Sequence, residues 1–342
     1  MPDEQVIALL FAVPFDYPLF AELDLLGYAG DIIVDRNAGR IEFPQSRDPE
    51  GNLALRRPMS ASPTMQAHLQ DGWGLQPERM AYAEVNAVLL AFPVSAQLDR
   101  PLREIQLGGG SIGEIVDKVT PWFESLVHWL WVLTVQALDP MNPDPKVLHR
   151  KSRNMIVAAS DSGVFSLNAS AMPVIASRLD INNPTSERLL TRKLLAGVLP
   201  SVGSVPPPLM WELLTAAKMA GRRGDAHRAL IDAGTAAESA LTVILSLPPG
   251  HQQPLGGLVA EATRRGVTLP SDIRSALVQP RNHAIHRGQW SGAAVNRALE
   301  ISEELVARAD ASFVQSTRLE SVNRPQRDNI QLILPSRYAP GQ

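Results

Sequence analysis

The chain has 342 residues, 45% hydrophobic and 20% charged, with a formal net charge of -3 and a pI of about 6.2. This length and composition point to a globular protein of two domains or three, and the slight acidity argues against a broad basic footprint for nucleic acid, leaving room for a local site. The absence of cysteine excludes disulfides, thiolate nucleophiles and cysteine-based zinc sites.

Residues 5–13 are an apolar run predicted as a buried strand that Pro14 ends. Acidic Asp3 and Glu4 precede the run where an export signal would be basic, and the later apolar stretch 126–138 is too short to span a bilayer. A cytoplasmic location without membrane association is therefore expected. Residues 31–43 read as a hairpin, with Ile32-Ile33-Val34 and Arg40-Ile41-Glu42-Phe43 flanking a turn over Asn37-Ala38-Gly39. Residues 44–78, rich in Pro, Gly, Ser, Asp and Arg, are predicted as loop. Strands are predicted again over 80–94, with Pro93 marking an edge or an end, and over 102–107.

Gly108-Gly109-Gly110-Ser111-Ile112-Gly113 fits G-x-G-x-x-G ahead of a helix. That helix runs to about residue 138, too long for a crossover helix, and the acidic residue a dinucleotide site needs at the tip of a second strand is missing. The glycines are read as a structural turn, with Ser111 and Glu114 as a capping box, and no cofactor is expected. The helix carries Val119, Trp122, Phe123, Leu126, Leu130 and Leu133 on one stripe and is expected to kink or restart at Pro121. His128, among apolar neighbours, is read as a core or interface histidine. Two strands over 153–159 and 163–169, turning over 160–162, and a helix over 185–198 follow. Pro200, Gly203, Pro206, Pro207 and Pro208 mark a domain boundary.

Beyond Pro206 strand signals vanish. Helices are predicted over 209–220, from Asp225 as cap to about 247, over 255–265, from Thr268 or Ser271 to Gly288, and over 292–311. The expected fold class is α+β: a mixed, β-rich domain over 1–200 with one long helix, an all-α bundle over 206–312, and a polar tail over 313–342 in which 330–334 is strand-like. Two charges interrupt apolar stripes, Glu238 between Gly234 and Leu241, and Arg281 between Leu277 and Ala284. Stranding one partner of a buried ion pair costs about 3–5 kcal/mol, so both are expected to be paired or to lie at a solvated seam, facing each other or a shared cleft.

The most specific stretch is Arg281-Asn282-His283-Ala284-Ile285-His286. Of the Arg-Asn pairs at 36–37, 153–154 and 281–282, only the last has histidine four residues after the asparagine. On a helix Asn282 and His286 share a face, so the amide can orient the imidazole. Arg281 is turned about 140° from His286. One helix does not readily aim both at one atom, which leaves two solutions open: the reach of a long arginine, or a second copy of the helix across a dimer. Pro280 forces a kink or a helix restart just before the motif. The same residue types also serve as ordinary dipole partners at a helix C-terminus.

On the penultimate helix of a small bundle, this stretch resembles the HEPN family (higher eukaryotes and prokaryotes nucleotide-binding), whose motif is Arg, four to six residues, then His. The Ala-rich helix over 233–241 that carries Glu238, and the ending His286-Arg287-Gly288, are also similar. The resemblance covers 206–312, and 1–200 resembles no family. It implies a homodimer that pairs two motifs in one cleft, and metal-independent endoribonuclease chemistry by 2′-hydroxyl attack. His286 would be the general acid or base, Arg281 the phosphate-binding cation and Asn282 the orienting amide. Glu238, His283 and Arg287 would support them, with Arg228 as a further phosphate contact. No metal or cofactor is implied. RNA, a second copy of the chain, and a trigger or antitoxin protein are the expected partners, in a toxin-like or phage-defence setting with 1–200 as sensor. The competing class is a non-catalytic RNA- or nucleotide-binding or dimerisation module with a separate partner-binding N-terminal domain.

Overall fold

The computed structural model describes residues 5–47, 53–61, 65, 69, 72–78, 80–96, 110–136, 138, 155–159, 164–167, 188–248, 250–287 and 292–312. The expected strand over 102–107, Gly108 and Gly109, the turn over 160–162, and the tail with 330–334 lie outside the described residues.

Apolar residues on consecutive positions build two long central strands, β1 (Gln5–Glu22) and, later in the chain, Tyr82–Ala96. Leu9, Leu10, Phe11 and Ala12 are all buried, so both faces of β1 are covered. Pro14 does not end the strand as expected. The ladder shifts register between Pro14 and Leu19, and such an irregularity accommodates residues that cannot donate a ladder bond. β2 (Ala29–Val34) and β3 (Asn37–Glu42) form the expected hairpin, but it turns at Asp35 and Arg36, both with positive φ, rather than over 37–39. Gly39 is needed inside β3 because the Phe92 ring covers its α-carbon. The expected loop over 44–78 is also more regular than predicted. It contains β4 (Gly74–Leu75) and isolated bridges from Gln45 to Arg56 and from Ala54 to Leu75, and it buries Leu55, Met65 and Trp73. With β5 (Tyr82–Ala96), β6 (Met155–Ala159) and β7 (Val164–Leu167), these strands form one antiparallel sheet ordered β2-β3-β5-β1-β6-β7, and β4 also pairs with β5.

Helix α1 (Gly110–Thr134) already includes Ser111, which therefore lies inside the helix, and it continues through Pro121 without a restart. Its stripe packs on the sheet, with Phe123 5.3 Å from the Phe15 ring. Just beyond its end, Gln136 is almost wholly buried and acts as a clasp: its amide accepts from Phe20 N–H and donates to the carbonyls of Phe20 and Arg188. Leu190 bridges Ala21, so of the helix expected over 185–198 the described residues 188–191 are not helical, 185–187 lie outside the described residues, and α2 (Arg192–Val198) begins after Thr191, which caps it.

The remaining helices are α3 (Leu209–Arg222), α4 (Ala226–Ile244), α5 (Leu255–Arg264), α6 (Gln279–Arg287) and α7 (Gly292–Ala309). Asp225 caps α4 as expected, accepting from Arg228 N–H. The seam with the sheet half is well joined. Thr215 donates to the Val132 carbonyl (3.1 Å), Arg222 to that of Val135 (2.6 Å), and Trp129 to that of Val205 (3.0 Å). Lys218, only 4% exposed, and Arg188 both pair with Glu303 of α7. Buried side chains from the sheet, α1 and the bundle belong to one continuous core.

Candidate functional site

Pro280 dictates the local geometry of the motif. It has no N–H, and in a regular helix its ring would meet the carbonyl four residues back. The chain makes a π turn over Arg274–Val278 instead, with Gln279 N–H donating to the Arg274 carbonyl, and α-helical bonding resumes in α6. Single π turns are enriched at functional sites. Beyond this turn Ala284, 1% exposed, anchors α6 in the core.

Arg281 folds inward across α4. Gly234 gives it room: a Cβ there would stand 2.6 Å from Arg281 Cγ. The guanidinium ends on Glu238, with Nη2 2.9 Å from Oε1 and side-chain exposures of 16% and 21%. The same Oε1 accepts at 2.8 Å from Leu255 N–H, a donor at the start of α5 that has no partner within its own helix. One carboxylate thus neutralises the arginine and closes a helix N-terminus, where negative charge is favoured. Arg281 Nη1 makes a long bond of 3.4 Å to Asn282 Oδ1, and its buried Nε has no hydrogen-bond partner.

His283, Ile285 and His286 are exposed and Asn282 is partly buried. Asn282 turns its oxygen to Arg281, and the expected amide–imidazole bond to His286 is not among those of the described residues. Arg281 and His286 leave α6 in different directions, as their 140° offset requires (about 100° per residue). Arg287 ends α6, and its side chain is outside the described part. Arg228, expected near phosphate, pairs with Asp232 at 3.3 Å. Burial holds the Asp232 carboxyl above its ordinary range despite the lowering effect of that arginine.

One residue escaped sequence reading. His227, at the start of α4, places Nε2 3.1 Å from the Ala284 carbonyl oxygen inside the motif. The available signal was its spacing from Gly234 and Glu238, seven and eleven residues on, which returns to nearly the same helical face.

No family model, curated protein or solved structure matches the chain. Among the described residues no group of three or more His, Cys, Asp or Glu could hold a metal ion, and no helix is long and apolar enough to cross a membrane. Gly110 and Gly113 lie within α1. His128 sits at the α1–α3 seam, 3.3 Å from Glu212 and 5.7 Å from the Trp131 ring. It also lines a cleft of about 600 Å³ with Asp35, Lys118, Trp122 and Val205, which none of the motif residues enters. Chemically, α6 offers a held cation on its inner side and an accessible imidazole on its outer side.

Proposed function

We propose that residues 206–312 form a HEPN-type, metal-independent endoribonuclease whose site is completed by a second copy of the chain. The observation that carries the reading is that Arg281 points inward to Glu238 while His286, on the same short helix, is exposed. Two copies of α6 brought face to face would place two imidazoles at one phosphodiester, with the two guanidinium groups, each held by its own Glu238, behind them. In this reading one His286 takes the proton of the 2′-hydroxyl as its oxygen attacks phosphorus. The bond to the 5′-oxygen breaks, and the other His286 supplies the proton that oxygen needs. Arg281 stabilises the charge on the phosphate oxygens. The products are a 2′,3′-cyclic phosphate and a 5′-hydroxyl. The sheet half then serves as the sensor of a trigger or antitoxin protein, in a cytoplasmic toxin-like or phage-defence role.

The test is incubation of the full chain with RNA in EDTA. Cleavage is expected for the wild type, with those end groups, and not for His286→Ala or for a substrate lacking 2′-hydroxyls. Cleavage by His286→Ala at the wild-type rate would overturn the assignment. The neutralisation of Arg281 by Glu238 within the protomer favours a second reading, a module that binds RNA without cutting it. RNA bound by both proteins and cut by neither would establish that one instead.

A further inference from the structure

Three residues of α4 that touch the α6 motif lie on one line of the helix. His227, Gly234 and Glu238 fall within about 40° of one another at 100° per residue. Each touches a different part of the motif: His227 the Ala284 carbonyl, Gly234 the stem of Arg281, and Glu238 its guanidinium. A carbonyl oxygen only accepts, so His227 Nε2 carries the hydrogen of that bond. Ala284 is among the last four residues of α6, whose carbonyls lack a helical donor, and His227 fills that need two residues before His286. The two polar grips are eleven residues apart on α4 and hold different residues of α6, so together they set both its rotation and its position along its axis.

We propose that His227 and Glu238 are positioning residues for the RNA cleavage assigned to α6, a role that rests on that assignment. Glu238 fixes where the arginine charge sits, and His227 fixes the turn from which His286 projects. Neither touches substrate. Displacing a reacting group by about 1 Å can cost about a hundredfold in rate, so loss of either grip acts on the chemical step.

The experiment measures single-turnover cleavage and RNA affinity separately for the full-length wild type and for His227→Ala, His227→Gln, Glu238→Ala and Glu238→Gln. Glutamine keeps a donor for the Ala284 carbonyl at 227, and at 238 an acceptor for Arg281 and Leu255. Both alanine variants are expected to cleave about tenfold to a hundredfold more slowly without weaker RNA binding, and both glutamine variants to recover most of the rate. Alanine variants as fast as an active wild type would overturn the positioning role alone. So would glutamine variants as slow as the alanine ones while melting like the wild type. A wild type that cuts no RNA would overturn the ribonuclease assignment and this role with it.

Discussion

Gly234 and Arg281 depend on one shared space, since an added Cβ at 234 would stand 2.6 Å from Arg281 Cγ. Gly234→Ala is expected to destabilise the fold by about 1–3 kcal/mol through overpacking. In an Arg281→Ala background the same change should be neutral or gain about 0.5–1 kcal/mol, because alanine is the better helix former. Urea unfolding of the double-mutant cycle measures this, and strict additivity would show that the glycine is not there for the arginine.

The Gln136 clasp should matter more than its distance from the motif suggests. Gln136→Leu fills a similar volume but removes the acceptor of the Phe20 N–H and a donor to Arg188. A loss of about 2–4 kcal/mol is expected from buried polar groups left bare, read as a lower urea midpoint.

Glu303 supplies a pH dependence of known direction. Burial alone would raise its carboxyl, but Lys218 and Arg188 together bring it below the ordinary glutamate range. A carboxyl whose pKa falls on folding stabilises the fold while ionised. Its contribution is complete above the unfolded value of about 4.3 and is lost as pH falls through the folded value. The stability gap between wild type and Glu303→Gln, followed by urea unfolding across acidic pH, should therefore be widest near neutrality and close in acid.

The β2–β3 turn carries a removable strain. Asp35 has φ 51° and Arg36 φ 95°, and neither is glycine. Arg36→Gly is expected to stabilise the protein by about 1 kcal/mol, seen as a higher melting temperature.

Sequence periodicity located most helices of the second half to within a few residues, because capping and stop signals there are local: Asp225 before α4, Pro248 after it, Gly266 after α5. It also anticipated the Glu238–Arg281 pair, since charges on apolar stripes need partners. The β1 boundary was not legible, because Pro14 is tolerated only through a register shift that depends on β5. The turn at Asp35 and Arg36 was missed because Gly39, the better turn former, is required under Phe92. The extended segment around Leu190 was hidden for the same kind of reason. Its conformation is set by Phe20 and Gln136, far away in the chain.

The fastening of α1 to α3 has a consequence for the order of assembly. Val132 lies in the last turn of α1 and Val135 just after it, and their carbonyls are satisfied by Thr215 and Arg222. During synthesis the sheet half leaves the ribosome before either of those side chains exists. Its last helical turn must wait, bare and open to water, for the bundle to arrive. A chain ending before residue 209 is thus expected to be cut by protease at the end of α1, where the finished protein resists.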